Sequence, residues 1–201
     1  MTSYTILRVA AVVMISTTRG AWAQASFKVQ NVGPGLYAPV RDWTGLLLKG
    51  EQWRAEVYGG ATPTSLSPLV SYYSHDRAIV PFYAAGFFRE TGSADYPSVD
   101  GVPPAGWVWL QVKVWDIQLG DTYEVASAQG MGGYGESDVF FAKGGDPRGP
   151  IPGPMPYLVG LQSFSVLQET PEPSAAALLA FGGLGLWAWR RRAWGHRAKT
   201  G

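Results

Sequence analysis

The chain has 201 residues, with 16 Lys and Arg against 15 Asp and Glu, a formal net charge of +1, and no cysteine. Without cysteine there are no disulfides, thiolate metal sites or thiol nucleophiles. Between Gln24 and Gln168 the balance is nine basic to thirteen acidic residues, a net charge of −4, which argues against nucleic acid and against adhesion to an anionic membrane surface.

The first 23 residues read as an export signal. Residues 1–8 bring a basic flank with Arg8, residues 9–15 form an apolar core, and Ala21-Trp22-Ala23 supplies a small-x-small cleavage site before Gln24. Arg19 sits between that core and the cleavage site. The apolar core is far too short to span a bilayer, so the segment reads as an address handed to a secretion translocon.

Residues 24–168 have the size of one domain. Apolar and polar residues alternate there, with glycine and proline punctuation, which predicts many short strands. The clearest covers 107–115. Its even positions, Val108, Leu110, Val112 and Val114, are aliphatic and belong on a core face. Its odd positions place Trp107, Trp109 and Trp115 on the opposite face with Gln111 and Lys113. Further strands are expected over 26–32, 45–49, 53–58, 69–73, 84–89, 122–128, 137–142 and 161–167. No stretch holds a 3.6-residue apolar period for three turns, which disfavours helical crossovers and a parallel sheet. The expected architecture is all-β, an antiparallel β-sandwich.

The connections agree with that reading. Gly59-Gly60, Pro103-Pro104, residues 130–135 and Gly144-Gly145-Asp146-Pro147 carry turn chemistry. Residues 149–156 hold four prolines and cannot join a sheet interior, so an extended surface run is expected, leading to a last strand with Phe164 and Val166 facing inward.

Catalytic patterns are sparse. His75-Asp76 holds the domain's one histidine, no Gly-x-Ser-x-Gly elbow accompanies it, and one histidine without cysteine does not make a zinc site. The expectation is a solvated turn, no metal and no cofactor. Asp95, Asp100, Asp116, Asp121, Glu124, Glu136 and Asp138 offer carboxylate pairs of the kind glycoside hydrolases use, but all lie beside turn residues, where solvated acids are ordinary. A structural calcium lacks the Asp-rich loop that would signal it. The glycine run at 130–135 leads into Glu136-Ser137-Asp138 and not Lys-Ser/Thr, so it reads as a loop and not a phosphate cradle. The chain is therefore expected to be no enzyme.

The aromatic stripe of Trp107, Trp109 and Trp115, with Tyr58, Tyr72, Tyr73 and Tyr134, is the feature able to carry recognition. Packing under loops is the preferred reading, because large aromatics dominate ordinary cores. Stacking on sugar rings, as in a carbohydrate-binding module, is the alternative; glycoside hydrolysis is a second.

From residue 169 onward the pattern changes. Pro171-Glu172-Pro173 precedes an apolar run over 175–189 and then Arg190-Arg191-Arg192. As a helix this run would reach about 22 Å, short of a hydrocarbon core of roughly 30 Å, and the arginines would stay cytoplasmic. An ordinary C-terminal anchor and a sorting tail both fit such an order of parts.

That order resembles the PEP-CTERM sorting tail of Gram-negative bacteria, in which a Pro-Glu-Pro signature, a hydrophobic helix and an arginine cluster follow one another. The resemblance implies recognition by a membrane-embedded exosortase, processing near Pro171 to Pro173, and association with extracellular polysaccharide. Residues 193–201 run on past the arginines, where the family usually ends. The body also looks like a domain associated with such tails, through Ala38-Pro39-Val40, Val112-Lys113-Val114-Trp115-Asp116, Thr122-Tyr123-Glu124, Tyr134-Gly135-Glu136-Ser137 and Gly160-Leu161-Gln162-Ser163-Phe164-Ser165. This second likeness implies a secreted β-sandwich and no reaction. Together these readings describe an exported structural or interaction protein of the cell envelope or extracellular matrix.

Overall fold

The computed structural model describes residues 24–71, 74–90, 96–149 and 154–168. The export signal with Ala21 and Ala23, the tail with Pro171, Glu172, Pro173 and Arg190 to Arg192, and Tyr72, Tyr73 and Asp95 lie outside the described residues.

In chain order the elements are β1 (Ala25–Ser26), β2 (Val32–Gly33), β3 (Leu36–Tyr37), β4 (Trp53–Gly60), β5 (Ser67–Pro68) and β6 (Val70–Ser71). There follow β7 (Ile79–Ala84), β8 (Phe87–Phe88), β9 (Pro97–Val99), β10 (Trp107–Asp116), α1 (Tyr123–Ala128), β11 (Tyr134–Glu136) and β12 (Phe140–Lys143). The described residues are thus mostly β with little helix, and every strand pair among them is antiparallel.

The main sheet has seven strands in the order β11-β10-β4-β7-β8, with β12 also on β10 and β5 on β4. Its spine is the pairing of β10 with β4, which sets Val112 opposite Val57, Val114 opposite Ala55 and Leu110 opposite Gly59. The side chains of Ala55, Val57, Leu110, Val112 and Val114 are buried in one core, because alternation points every second residue of both strands to the same side. A three-stranded sheet, β1-β9-β6, lies across that core, and its Ala25 and Val99 belong to the same buried cluster. Gly59 lets the two approach. A Cβ there would come within 2.7 Å of Val99 Cγ2 and 2.9 Å of Leu69 Cδ1.

β11 and β12 share one edge of β10, and Ser137 bridges the gap between them. Its N–H donates to the Val112 carbonyl and its Oγ accepts from Val112 N at 3.0 Å, so the ladder continues through the irregularity.

Several expected strands take another form. The segment 26–32 belongs to named strands only at its ends and is otherwise paired by a single bridge from Gln30 to Arg89, though Phe27 and Val29 are fully buried. Residues 45–49 are not a strand, because Asp42 draws the backbone into a turn: its Oδ1 accepts from Thr44 N at 2.8 Å and from Leu46 N at 3.0 Å. Residues 161–167 make a single bridge, Ser165 to Arg41, while Val166 is buried and Phe164 packs partly against the core. The segment 122–128 is α1 and not a strand. Thr122 is its N-cap, Glu124 sits in the first turn, and Tyr123 and Ala126, one turn apart, are the buried pair. Met155, expected on a surface run, is buried.

Irregular segments in a β core need partners for their backbone groups. Asn31 provides three. Its Nδ2 donates to the carbonyls of Ala38 at 2.9 Å and Gly86 at 2.8 Å, and its Oδ1 accepts from Phe88 N at 2.9 Å. Asn31→Leu would leave these buried groups unpaired, and a loss of about 3 kcal/mol in unfolding free energy is expected, read as a lower urea midpoint of the full chain.

Candidate functional site

The inner face of the main sheet is spent on the core, so any chemistry on this sheet belongs to the outer face. That face carries the even residues of β4 and the odd residues of β10, with Lys113 opposite Glu56, Gln111 opposite Tyr58 and Trp115 opposite Arg54.

At one end lies an aromatic platform. Trp107 and Phe141 stack with ring centroids 5.1 Å apart and planes 14° from parallel, and Trp109 leans on Phe141 at 4.8 Å. Trp107 is 58 % exposed and Phe141 47 %, whereas Trp109 is half-buried. The register builds this group, since Trp109 stands opposite Phe141 and Trp107 opposite Lys143. On its other side Trp109 faces Gly60, which has no side chain to crowd the indole. Flat apolar rings open to solvent suit stacking on another flat apolar face.

At the centre the face is ionic. Glu56 is fully buried, and Arg77 grips both its oxygens, with Nε to Oε1 at 2.7 Å and Nη2 to Oε2 at 2.6 Å. The same Nη2 donates to Tyr58 Oη at 2.7 Å and to Glu124 Oε2 at 3.0 Å. Tyr58 in turn donates to Glu124 Oε1 at 2.5 Å. Glu124 is on α1, so this network fastens the helix over the sheet. Lys113 lies between two phenol rings, 4.4 Å from the Tyr58 centroid and 4.7 Å from that of Tyr123, with Glu136 Oε2 at 3.7 Å.

Electrostatics follow from these contacts. Burial pushes the Tyr58 hydroxyl up, and the hydrogen bond to Glu124 adds to it. Burial likewise raises Tyr123, with Glu136 second. The hydrogen bond to Glu56 raises Arg77, which therefore stays cationic. For Glu124 partial burial pulls upward, but hydrogen bonds from Tyr58 and Arg77 outweigh it and hold the carboxyl at about 2. The carboxylates of Glu56 and Glu124 are thus bridged by one guanidinium.

The opposite end is dry. Trp115 is fully buried with Tyr123 and Ala126, packed by Ile79, Leu119 and Tyr134, and its Nε1 donates to the Gly120 carbonyl at 2.9 Å. Of the three indoles singled out in the sequence, the structure places Trp107 and Trp109 together and removes Trp115 from the accessible surface. α1 is the reason: where a strand was expected, a helix covers that end of the face.

The remaining singled-out residues within the described chain lie in turns and loops or at strand ends. His75 sits at φ 60° in a turn in which its N–H donates to the Ser71 carbonyl. Asp116 accepts from Gln118 N at 2.8 Å, and Asp100 accepts from Gln24 Nε2 at 2.9 Å. Among the described residues no three His, Cys, Asp or Glu come together as a metal-binding set. Sequence reasoning missed Arg77, Glu56 and Phe141. Glu56 could have been found, since an acid inside an alternating strand on the same face as Tyr58 needs a cation.

The fold and site describe an all-β body with an aromatic platform and an ion-paired helix latch. The tail specifies the protein further: residues 169–192 match the PEP-CTERM protein-sorting motif. The chain therefore carries a PEP-CTERM sorting motif, and the motif implies export and membrane transit in a Gram-negative cell. No curated protein and no solved structure matches the chain.

The latch should respond to acid. Glu124 is lowered from an ordinary 4.5 to about 2 on folding, so it contributes stability above 4.5 that is lost as pH falls toward 2. Half of its side chain is open to solvent, so screening keeps the effect small. The stability difference between wild type and Glu124→Gln should be largest near neutrality and shrink across that window, as read by denaturant midpoints at stepped pH.

Proposed function

We propose that this protein is an exported component of the cell envelope or extracellular matrix, sorted by an exosortase through its tail and serving a structural or interaction role beside exopolysaccharide. The observation that carries the reading is the sorting motif over residues 169–192. A cleavable signal ending at Ala23 would hand the chain to a secretion translocon, and Pro171, Glu172, Pro173 and the Arg190 to Arg192 stop would present it to the sorting protease. The body, read as a β-sandwich of two sheets over one core, would be the delivered cargo. Its role is non-catalytic in this reading, which the ion-pairing of Glu56 and Glu124 to Arg77 favours. Intact mass of the protein recovered from the cell surface or medium should show loss of residues 1–23 and of the tail near Pro171. Recovery of the whole chain from cytosol overturns the reading.

A second reading, a carbohydrate-binding module, is favoured by the exposed stack of Trp107 on Phe141 beside Trp109. Pyranose rings offer apolar C–H faces of the right shape, and such stacking needs no charge. Trp115, being buried, would take no part. On a glycan array, Trp107→Ala should weaken a bound glycan about fivefold, the loss of roughly 1 kcal/mol for one aromatic partner. Equal binding by wild type and variant removes the platform from the role.

A further inference from the structure

Where the described chain stops determines which part of the body a membrane-held tail brings toward the lipid. Gln168 is seven residues before Ala175, where the apolar run begins, so fully extended chain allows at most about 24 Å between them. Residues 164–167 are held on two sides. Arg41 pairs with Ser165 in parallel, and Leu167 exchanges hydrogen bonds with Gly133 and Tyr134. Because the first pairing is parallel, residues 42–46 leave Arg41 in the same direction as residues 166–168 leave Ser165. The turn at 42–46 and the exit to the tail therefore sit side by side, at the end of the domain where β10 finishes and β4 starts.

That turn is built to hold two apolar side chains outward. Trp43 is 51 % exposed and Leu46 67 %. Asp42 Oδ1 accepts from Thr44 Oγ1 at 2.6 Å as well as from the two N–H groups, Arg41 Nη1 donates to the Gly45 carbonyl at 2.7 Å, and Gly45 takes φ +86°. A fixed loop that leaves a tryptophan and a leucine in water gains nothing from them in the free domain. Ile117 and Leu167, at the same end, are also exposed.

We propose that the Trp43–Leu46 turn is a lipid-contact tip that seats the body on the bilayer interface while the tail is inserted. This rests on the membrane-transit reading of the tail. Tryptophan favours the headgroup region, where its ring is sheltered and its N–H stays wet. The contact is apolar and not electrostatic: Arg41, Lys49 and Arg54 at this end are offset by Asp42, Glu51 and Asp121.

The cysteine-free chain permits a clean test. Full-length protein carrying Leu46→Cys, Thr64→Cys or Ala180→Cys is labelled with a polarity-sensitive dye. Each is reconstituted into vesicles of phosphatidylethanolamine and phosphatidylglycerol, with or without brominated acyl chains. Thr64 lies in the turn beyond the far end of β4 and serves as the wet reference; Ala180 reports the tail. The expected result is a blue shift and bromine quenching at positions 46 and 180, neither at 64, and loss of the shift at 46 when Trp43→Ser is added. Quenching at 180 with position 46 as wet as 64 overturns the tip and spares the tail reading. No quenching at 180 or at 46 overturns both.

Discussion

β10 lies against β4 with Val112 opposite Val57 and Lys113 opposite Glu56, and this register decides what each face of the main sheet can be. A slip of one residue would exchange every side chain between core and outer face. Val108, Leu110, Val112 and Val114 would then be wet, and Lys113 and Gln111 would be inside the core. The aliphatic set is large enough to forbid that exchange. The outer face is therefore left with whatever the odd positions happen to be: three indoles, a glutamine and a lysine. The aromatic platform, the Lys113 seat between two phenols and the buried Trp115 are all consequences of one alignment.

The same register creates a cost that the structure must meet. Glu56, on the middle strand of the outer face, is fully buried, and a lone carboxylate there would be heavily penalised. Arg77 answers it with two parallel hydrogen bonds, the planar geometry for which guanidinium is suited and ammonium is not. Two well-packed apolar residues in place of such a pair are often as stable, so stability alone does not account for Glu56 and Arg77. What the pair adds is position. Arg77 also holds Tyr58 and Glu124, and so it fixes where α1 crosses the sheet. The helix is only six residues long and would not persist alone in water; its N-cap, its latch to Arg77 and the burial of Tyr123 and Ala126 hold it together.

Legibility in the sequence divided along these lines. The all-β class and the long strand were readable because period-two alternation survives over 107–115 without interruption. The turn at Asp42 and the helix at Tyr123 were misread for a shared reason: both are set by a side-chain oxygen capturing nearby N–H groups, Asp42 in one case and Thr122 in the other. Such captures override propensity over four or five residues and leave no periodic trace. The cap signal of Thr122 followed by Glu124 was present, but the short β-prone run around Tyr123 and Val125 masked it. Phe141 was invisible as a site residue because its importance comes from lying beside Trp109, a relation between segments far apart in the chain. The sorting tail was the most legible feature, since its meaning is carried by the order of local segments and needs no tertiary contact.

The two ends of the outer face stand differently to the point where the described chain leaves the domain. β10 runs from Trp107 to Asp116, about 30 Å at the usual rise per residue. Its last residues pair with β11, which in turn holds Leu167, so the tail leaves from the Asp116 end. The exposed platform of Trp107 and Phe141 occupies the other. A body held by its C terminus thus carries its open aromatic surface away from the attachment point and not against it. Charge reinforces this placement. The body bears a net −4, so anionic headgroups on its own side of the membrane would repel it, while the arginine stop would lie on the cytoplasmic side. On the proposed reading, contact between body and lipid would be small, apolar and close to the exit, and the Trp107 end would face away from it.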